Sequence, residues 1–158
     1  MNGSSHIKII AEGLRFPEGP AFASNGSLWT VELKGQSLVR NAEGSLQRYH
    51  VGGAPNAIAF DKKGDLWFCD SAERSLRKFV PVNETVIMAG CIAGEAFNKP
   101  NDLAFDRQGN LVFTCPGDSR KEPIGYVCLL STDGGVKKII TGKYFPNVLA
   151  FTPDVRDW

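Results

Sequence analysis

Short apolar runs separated by tight polar breaks dominate this chain. Ala57 to Phe60 is apolar, Asp61-Lys62-Lys63-Gly64-Asp65 is polar, and Leu66 to Cys69 is apolar again. Ser75 to Val80 and Val86 to Ile92 follow. The same succession returns as Asp102 to Phe105, Leu111 to Thr114, Tyr126 to Leu130 and Val136 to Ile140. Apolar runs of four to seven residues bounded by turn residues predict strands. No stretch of 12 residues keeps a helical period, so the chain reads as all-β. Gly64 suits the positive φ of a hairpin turn, and Asp133-Gly134-Gly135 reads as another such turn rather than a phosphate loop.

A longer period lies over the strands. Pro17-Glu18-Gly19-Pro20-Ala21-Phe22, Pro55-Asn56-Ala57-Ile58-Ala59-Phe60, Pro100-Asn101-Asp102-Leu103-Ala104-Phe105 and Pro146-Asn147-Val148-Leu149-Ala150-Phe151 share one pattern, Pro-[Glu/Asn]-x-x-Ala-Phe. The prolines at 17, 55, 100 and 146 step by 38, 45 and 46 residues. After the first three copies a glycine follows Phe by four positions (Gly26, Gly64, Gly109), and a second run begins at Leu28-Trp29, Leu66-Trp67 and Leu111-Val112. Paired short strands at a period near 40–45 predict propeller blades. The expected blades are 17–53, 54–97 and 98–143, with an incomplete blade over 144–158. Ile7-Lys8-Ile9-Ile10 is expected to be a closing strand, spanning 6–12, of the kind that seals a propeller edge. The fold class is therefore a partial β-propeller of about three four-stranded blades plus the start of a fourth, either a truncation or a natural half. Trp29, Trp67 and Trp158 fall at blade positions suited to packing between blades.

Composition adds exclusions. Of 158 residues, 42% are hydrophobic and 22% charged, an ordinary globular mix. Lys plus Arg is 18 against 17 for Asp plus Glu, a net charge of +1, which gives no footprint for nucleic acid or an anionic membrane. No apolar run reaches the length of a membrane span, and Met1 to Lys8 has no secretory pattern, so a cytoplasmic location is expected. Cys69, Cys91, Cys115 and Cys128 lack zinc-ribbon spacing and are expected as reduced, packed thiols rather than a disulfide.

The residue after each repeat proline is polar: Glu18, Asn56, Asn101 and Asn147. If the blades are radially equivalent, these side chains converge on one end of a channel. One carboxylate with amide oxygens is a hard-oxygen set, better suited to calcium, magnesium or manganese than to zinc. Pro-Asn also simply initiates turns, and that plainer reading is favoured for Asn56. Glu18 carries the only charge among the four positions and is favoured as a metal ligand. His6 and His50 lie outside the repeats, so a serine triad is not expected. Cys115 beside Pro116 lacks a basic partner and makes a weak nucleophile candidate. Asn83-Glu84-Thr85 matches a glycosylation acceptor with no secretion signal to support it.

Phe16-Pro17-Glu18-Gly19-Pro20, Pro100-Asn101-Asp102-Leu103-Ala104-Phe105-Asp106 and Phe145-Pro146-Asn147 resemble the SMP-30/gluconolactonase/luciferin-regenerating-enzyme family, over nearly the whole chain and in order. The resemblance implies a six-bladed propeller, of which this chain is the N-terminal half. It implies hydrolysis of a sugar or related lactone, with a divalent metal in the channel: calcium first, with zinc, magnesium or manganese as alternatives. By the same resemblance Glu18 and Asn147 are metal ligands, Asn101 faces the substrate, and Lys99 stands where some members have a substrate-contacting arginine. The family's third ligand, a blade-five aspartate that is also its favoured general base, falls outside these 158 residues, so the catalytic residue is left unassigned. Cys115 departs from an acidic position that Glu32 and Asp70 keep in the first two blades. The implied partners are a small lactone and either a second copy or a complementary half-propeller. A non-catalytic propeller scaffold, or an inactive fragment, is the competing expectation.

Overall fold

The structure is a computed structural model and describes residues 7–42, 44–80 and 84–152. Its elements are strands and turns. The first antiparallel sheet holds β1 (Pro17–Phe22), β2 (Leu28–Glu32), β3 (Ser37–Ala42) and β4 (Ser45–His50) in that order. The second holds β5 (Pro55–Phe60), β6 (Leu66–Asp70), β7 (Ser75–Val80) and β8 (Glu84–Ala89). A two-stranded hairpin, β9 (Cys91–Ile92) and β10 (Glu95–Ala96), leads to the third sheet of β11 (Leu103–Phe105), β12 (Leu111–Cys115), β13 (Gly125–Leu130) and β14 (Val136–Lys143). The three sheets are the three expected blades. The run Val86 to Ile92 is not one strand, however: β8 stops at Ala89 and β9 starts after Gly90.

One turn chemistry makes four of the hairpins. Gly26, Gly64, Gly109 and Gly134 all sit at positive φ, between 81 and 93°. Each donates its N–H to the carbonyl three residues back: Ala23, Asp61, Asp106 and Ser131. A residue with a Cβ would be strained at these angles, so glycine fixes the β1–β2, β5–β6, β11–β12 and β13–β14 turns, whereas the β2–β3 and β6–β7 turns carry Gln36 and Arg74 at positive φ.

Side-chain alternation then decides which face each blade shows to its neighbour. Val31, Leu38, Ile58, Leu66 and Phe68 form the core between blades one and two. Leu76, Phe97, Leu103, Leu111, Phe113 and the thiols Cys69, Cys115 and Cys128 form the core between blades two and three. Trp29 stacks on Tyr49 at 5.5 Å and reaches Phe60 and Phe79 of the next blade, while Trp67 meets Phe105 edge-on at 5.6 Å. Both tryptophans therefore pack between blades as expected; Trp158 lies outside the described residues. Blade two is covered on both sides. The outward faces of blades one and three stay open, and they leave apolar grooves of about 300 Å³ and about 560 Å³. The first is lined by Leu28, Thr30, Val39 and Leu46, the second by Val112, Val127, Ile140 and Val148.

The innermost strands stand side by side, with β5 packed against both β1 and β11. Two expectations about the edges change. Residues 7–12 form no strand, and Ile7 and Ile9 are 94% and 70% exposed. A strand needs a ladder; among the described residues no backbone ladder reaches this segment, and side chains hold it, as when the Asn41 amide donates to the Ile10 carbonyl at 2.9 Å. The fourth repeat, 146–151, is likewise not a strand, because no second strand among the described residues lies beside it.

Candidate functional site

The repeat motif places its polar residues at one end of the inner strands, and backbone strain marks three of the four copies. Phe16, Lys99 and Phe145 directly precede the repeat prolines and adopt φ of 60, 57 and 51°. A residue before proline prefers extended backbone, and a non-glycine residue at positive φ is strained. These copies carry Glu18, Asn101 and Asn147. The copy with Asn56 turns one residue earlier, at Gly53 with φ 62°. The four copies are thus alike in sequence but not in backbone, and the odd one is the position expected to be an ordinary turn.

Glu18 lies on β1 with its carboxylate exposed, and among the described residues no hydrogen-bond or ion-pair partner meets it. Its carbonyl accepts the Thr30 hydroxyl at 2.6 Å, which fixes the backbone below the side chain. Next to it, Gly19 presses on blade two so closely that a Cβ there would lie 2.4 Å from the Ala57 Cα. Only glycine permits that approach, and it brings Glu18 beside Asn56.

Asn101 and Asn147 meet through Thr114. The Asn101 N–H donates to the Thr114 carbonyl at 3.0 Å, and the Thr114 hydroxyl donates to the Asn147 carbonyl at 3.5 Å. Asp102 joins them: its N–H donates to Thr114 Oγ1 at 3.0 Å, and its Oδ2 accepts the Leu149 N–H at 2.7 Å. Burial pushes the Asp102 carboxyl above the usual carboxylate range, with the Leu149 and Leu103 N–H groups pulling the other way. Lys99 points to the loop after β12, where its ammonium pairs with the Asp118 carboxylate. It is not an unpartnered cation facing the motif.

Behind the site the blades differ. Glu32 and Asp70 end their second strands opposite Pro17 and Pro55 and are fully buried. Glu32 Oε1 accepts from Arg48 Nη2 at 3.1 Å and from the Arg15 N–H at 3.2 Å. Asp70 is tied to Arg77 at 2.6 Å and accepts the N–H groups of Ala54, Ala72 and Glu73 at 2.9 to 3.1 Å. In blade three this position is Cys115, opposite Tyr126 and beside Cys128. The hydrogen bond with Cys128, then burial, raises the Cys115 thiol far above its ordinary value, which disfavours a thiolate nucleophile at that position. Cys69, Cys115 and Cys128 are buried free thiols, as expected, whereas Cys91 is exposed. His50 is exposed at the end of β4, and His6 and Asn83 lie outside the described residues.

The donor set fits a hard cation in kind, with one carboxylate and two amide-bearing side chains on one end of the blades. It does not by itself make a cage. Calcium takes about 6–8 oxygens, and among the described residues no three His, Cys, Asp or Glu side chains gather to hold a metal.

With this geometry in hand, comparison with known proteins is informative. The family model described as the SMP-30/gluconolactonase/LRE-like region matches residues 16–157. The chain belongs to this family. A gluconolactonase of Zymomonas mobilis is 28% identical over 178 residues, covering 96% of this chain and 50% of that protein. This SMP-30-like chain therefore spans about half the length of the curated relative it matches. A solved gluconolactonase-like protein superposes with a TM-score of 0.82 at 25% identity, over 92% of this chain and 56% of its own. A calcium-binding regucalcin from Agrobacterium tumefaciens shares the fold, with a TM-score of 0.70 at 16% identity over 85% of this chain and 46% of its own. The half-length matches agree with three blades of a larger propeller.

Sequence reasoning missed Asp102 and Thr114. Asp102 left a signal: the same repeat position holds Gly19, Ala57 and Val148 elsewhere, so it is the one charge. Thr114 left none, because it reads as one more strand residue.

Proposed function

We propose that this chain supplies one half of a divalent-cation-dependent lactonase site, acting on a sugar or related lactone. Glu18 and Asn147 would hold the ion, and Asn101 would face the substrate. The observation that carries the reading is the Glu18 carboxylate, without a partner among the described residues, at the strained end of the inner strands that also present Asn101 and Asn147. A bound cation of this class polarises an ester carbonyl and makes water a better nucleophile near neutral pH. The chain's own residues do three things toward that end. Glu18 supplies charge, Thr114 and Asp102 hold the two asparagine segments together, and the buried cores fix the strands that present them. Asp102 is engaged by the Leu149 N–H and is given a holding role rather than that of a general base.

The test is a pH-stat assay on gluconolactone-type substrates with calcium or manganese, using this chain alone and a full-length protein that contains it. Metal-dependent ring opening by the longer protein, lost by about 10²-fold or more in Glu18→Gln, is the expected result. No turnover on any lactone by the longer protein would favour the scaffold. The open faces of blades one and three we further propose to pack against other blades, from a second copy or a complementary half.

A further inference from the structure

We propose that Asp102 is a positioning residue whose carboxylate latches the Asn147 segment onto blade three and so sets where Asn147 stands. The latch is argued from geometry; its consequence for an ion rests on the reading above.

In blades one to three the repeat motif is held by the second strand of its own blade, as β1 is by β2. Residues 145–152 have no such ladder. Among the described residues two hydrogen bonds hold this segment: Leu149 N–H to Asp102 Oδ2 at 2.7 Å and Thr114 Oγ1 to the Asn147 carbonyl at 3.5 Å. The first is short and charge-assisted, the stronger kind; the second is at the limit of a hydrogen bond.

Asp102 is well placed to anchor. Its N–H donates to Thr114 Oγ1 at 3.0 Å, and its carbonyl accepts the Thr114 N–H at 2.9 Å. The main chain is thus clamped on both sides to β12, whose five residues are all buried. A carboxylate leaving so rigid a base has little freedom, so the atom that accepts Leu149 N–H is fixed relative to the core. The other copies cannot do this. Gly19 lies directly against Ala57, where a side chain has no room, and Ala57 and Val148 carry no acceptor. The junction from blade three to the fourth repeat is bridged by a carboxylate where the junction from blade one to blade two is closed by backbone contact. Even partial burial of a carboxylate is unfavourable, and packing alone gives no reason for one here. Leu149 is two residues from Asn147, so releasing its N–H frees the Asn147 segment to move relative to Thr114, which also holds Asn101.

Amide hydrogen exchange of the full chain tests the latch, read at Leu149 by NMR or in a peptide covering 144–152. Asp102→Ala should speed Leu149 exchange on the order of tenfold, the worth of one such bond, while the amides of β12 and β13 keep their wild-type rates. Asp102→Asn retains an acceptor oxygen and should recover most of the protection. Calcium titration of the same samples should show weaker binding in Asp102→Ala and an intermediate value in Asp102→Asn. Unchanged Leu149 exchange in Asp102→Ala overturns the latch. Faster exchange with unchanged calcium affinity overturns the positioning of Asn147. If the wild-type chain alone binds no calcium, the same titration on a longer protein that contains it decides the positioning of Asn147, and the exchange comparison still decides the latch.

Discussion

Gly53 shows how much one residue decides. It has φ 62°, and a Cβ there would fall 2.0 Å from the buried Asp70 Oδ2. Gly53→Ala should therefore lower stability by well over about 1 kcal/mol, because strain and a clash with a buried carboxylate add; urea denaturation reads it. Gly44 has a similar φ with open space around the missing Cβ. Gly44→Ala should keep only the strain and lose less. Asp61 makes a second case. Slight burial raises its carboxyl, but the Trp67 indole, the Asp65 and Lys63 N–H groups and the Lys78 charge outweigh it, so the group lies below the usual carboxylate range. The folded state then binds fewer protons than the unfolded state in that window. The stabilisation is present above the ordinary carboxylate pKa and is lost as pH falls through the depressed folded value. Denaturation at a series of pH values should show this acid-side loss in wild type and a flatter curve in Asp61→Asn. Equal slopes would remove Asp61 from the acid response.

At the level of elements, the two acid–arginine pairs predict unequal losses. Asp70 and Arg77 are both enclosed, with 0% and 11% of their side-chain surface exposed. Arg77→Met should cost about 3–5 kcal/mol, since it strands a buried charge. Arg48 is 43% exposed above Glu32, so water can replace it in part, and Arg48→Met should cost less. Thermal or urea denaturation of the two variants ranks them, and the reverse order would contradict the burial argument. The strands themselves were legible in the sequence. β5, β6, β7, β12 and β13 start and stop within two residues of the apolar runs, because polar turn residues, several with glycine, punctuate them. The sequence could not show that Gly90 would divide the run from Val86 to Ile92, or that two strand-like segments at the chain's edges would stay unpaired. Apolar alternation signals the capacity for a strand, whereas the ladder depends on a neighbour.

For the whole molecule, the open faces are the dominant physical fact. Phe22 is 71% exposed and Val148 82%, beside grooves lined with aliphatic side chains. Contiguous exposed apolar surface of this kind marks an interaction site or an aggregation hazard. The isolated chain should self-associate in light scattering, and replacing Phe22 and Val148 by Ser together should reduce that association while leaving blade two's core intact. A monodisperse monomer at high concentration would show that these faces are tolerated in water.

The sequence by itself determined the blade period, the glycine hairpin turns, the packing of Trp29 and Trp67 between blades, and the four polar positions of the motif. These are local features: each depends on residue type at fixed spacing, and a repeat states them several times over. The tertiary structure decided what the repeats do differently. It put strain before three prolines and not the fourth, and it paired Lys99 with Asp118. It also turned Asp102 from a motif variant into the residue that holds Leu149. Those outcomes depend on which side chain lies across from which in a neighbouring blade, a distance set by packing of the sheets rather than by spacing along the chain.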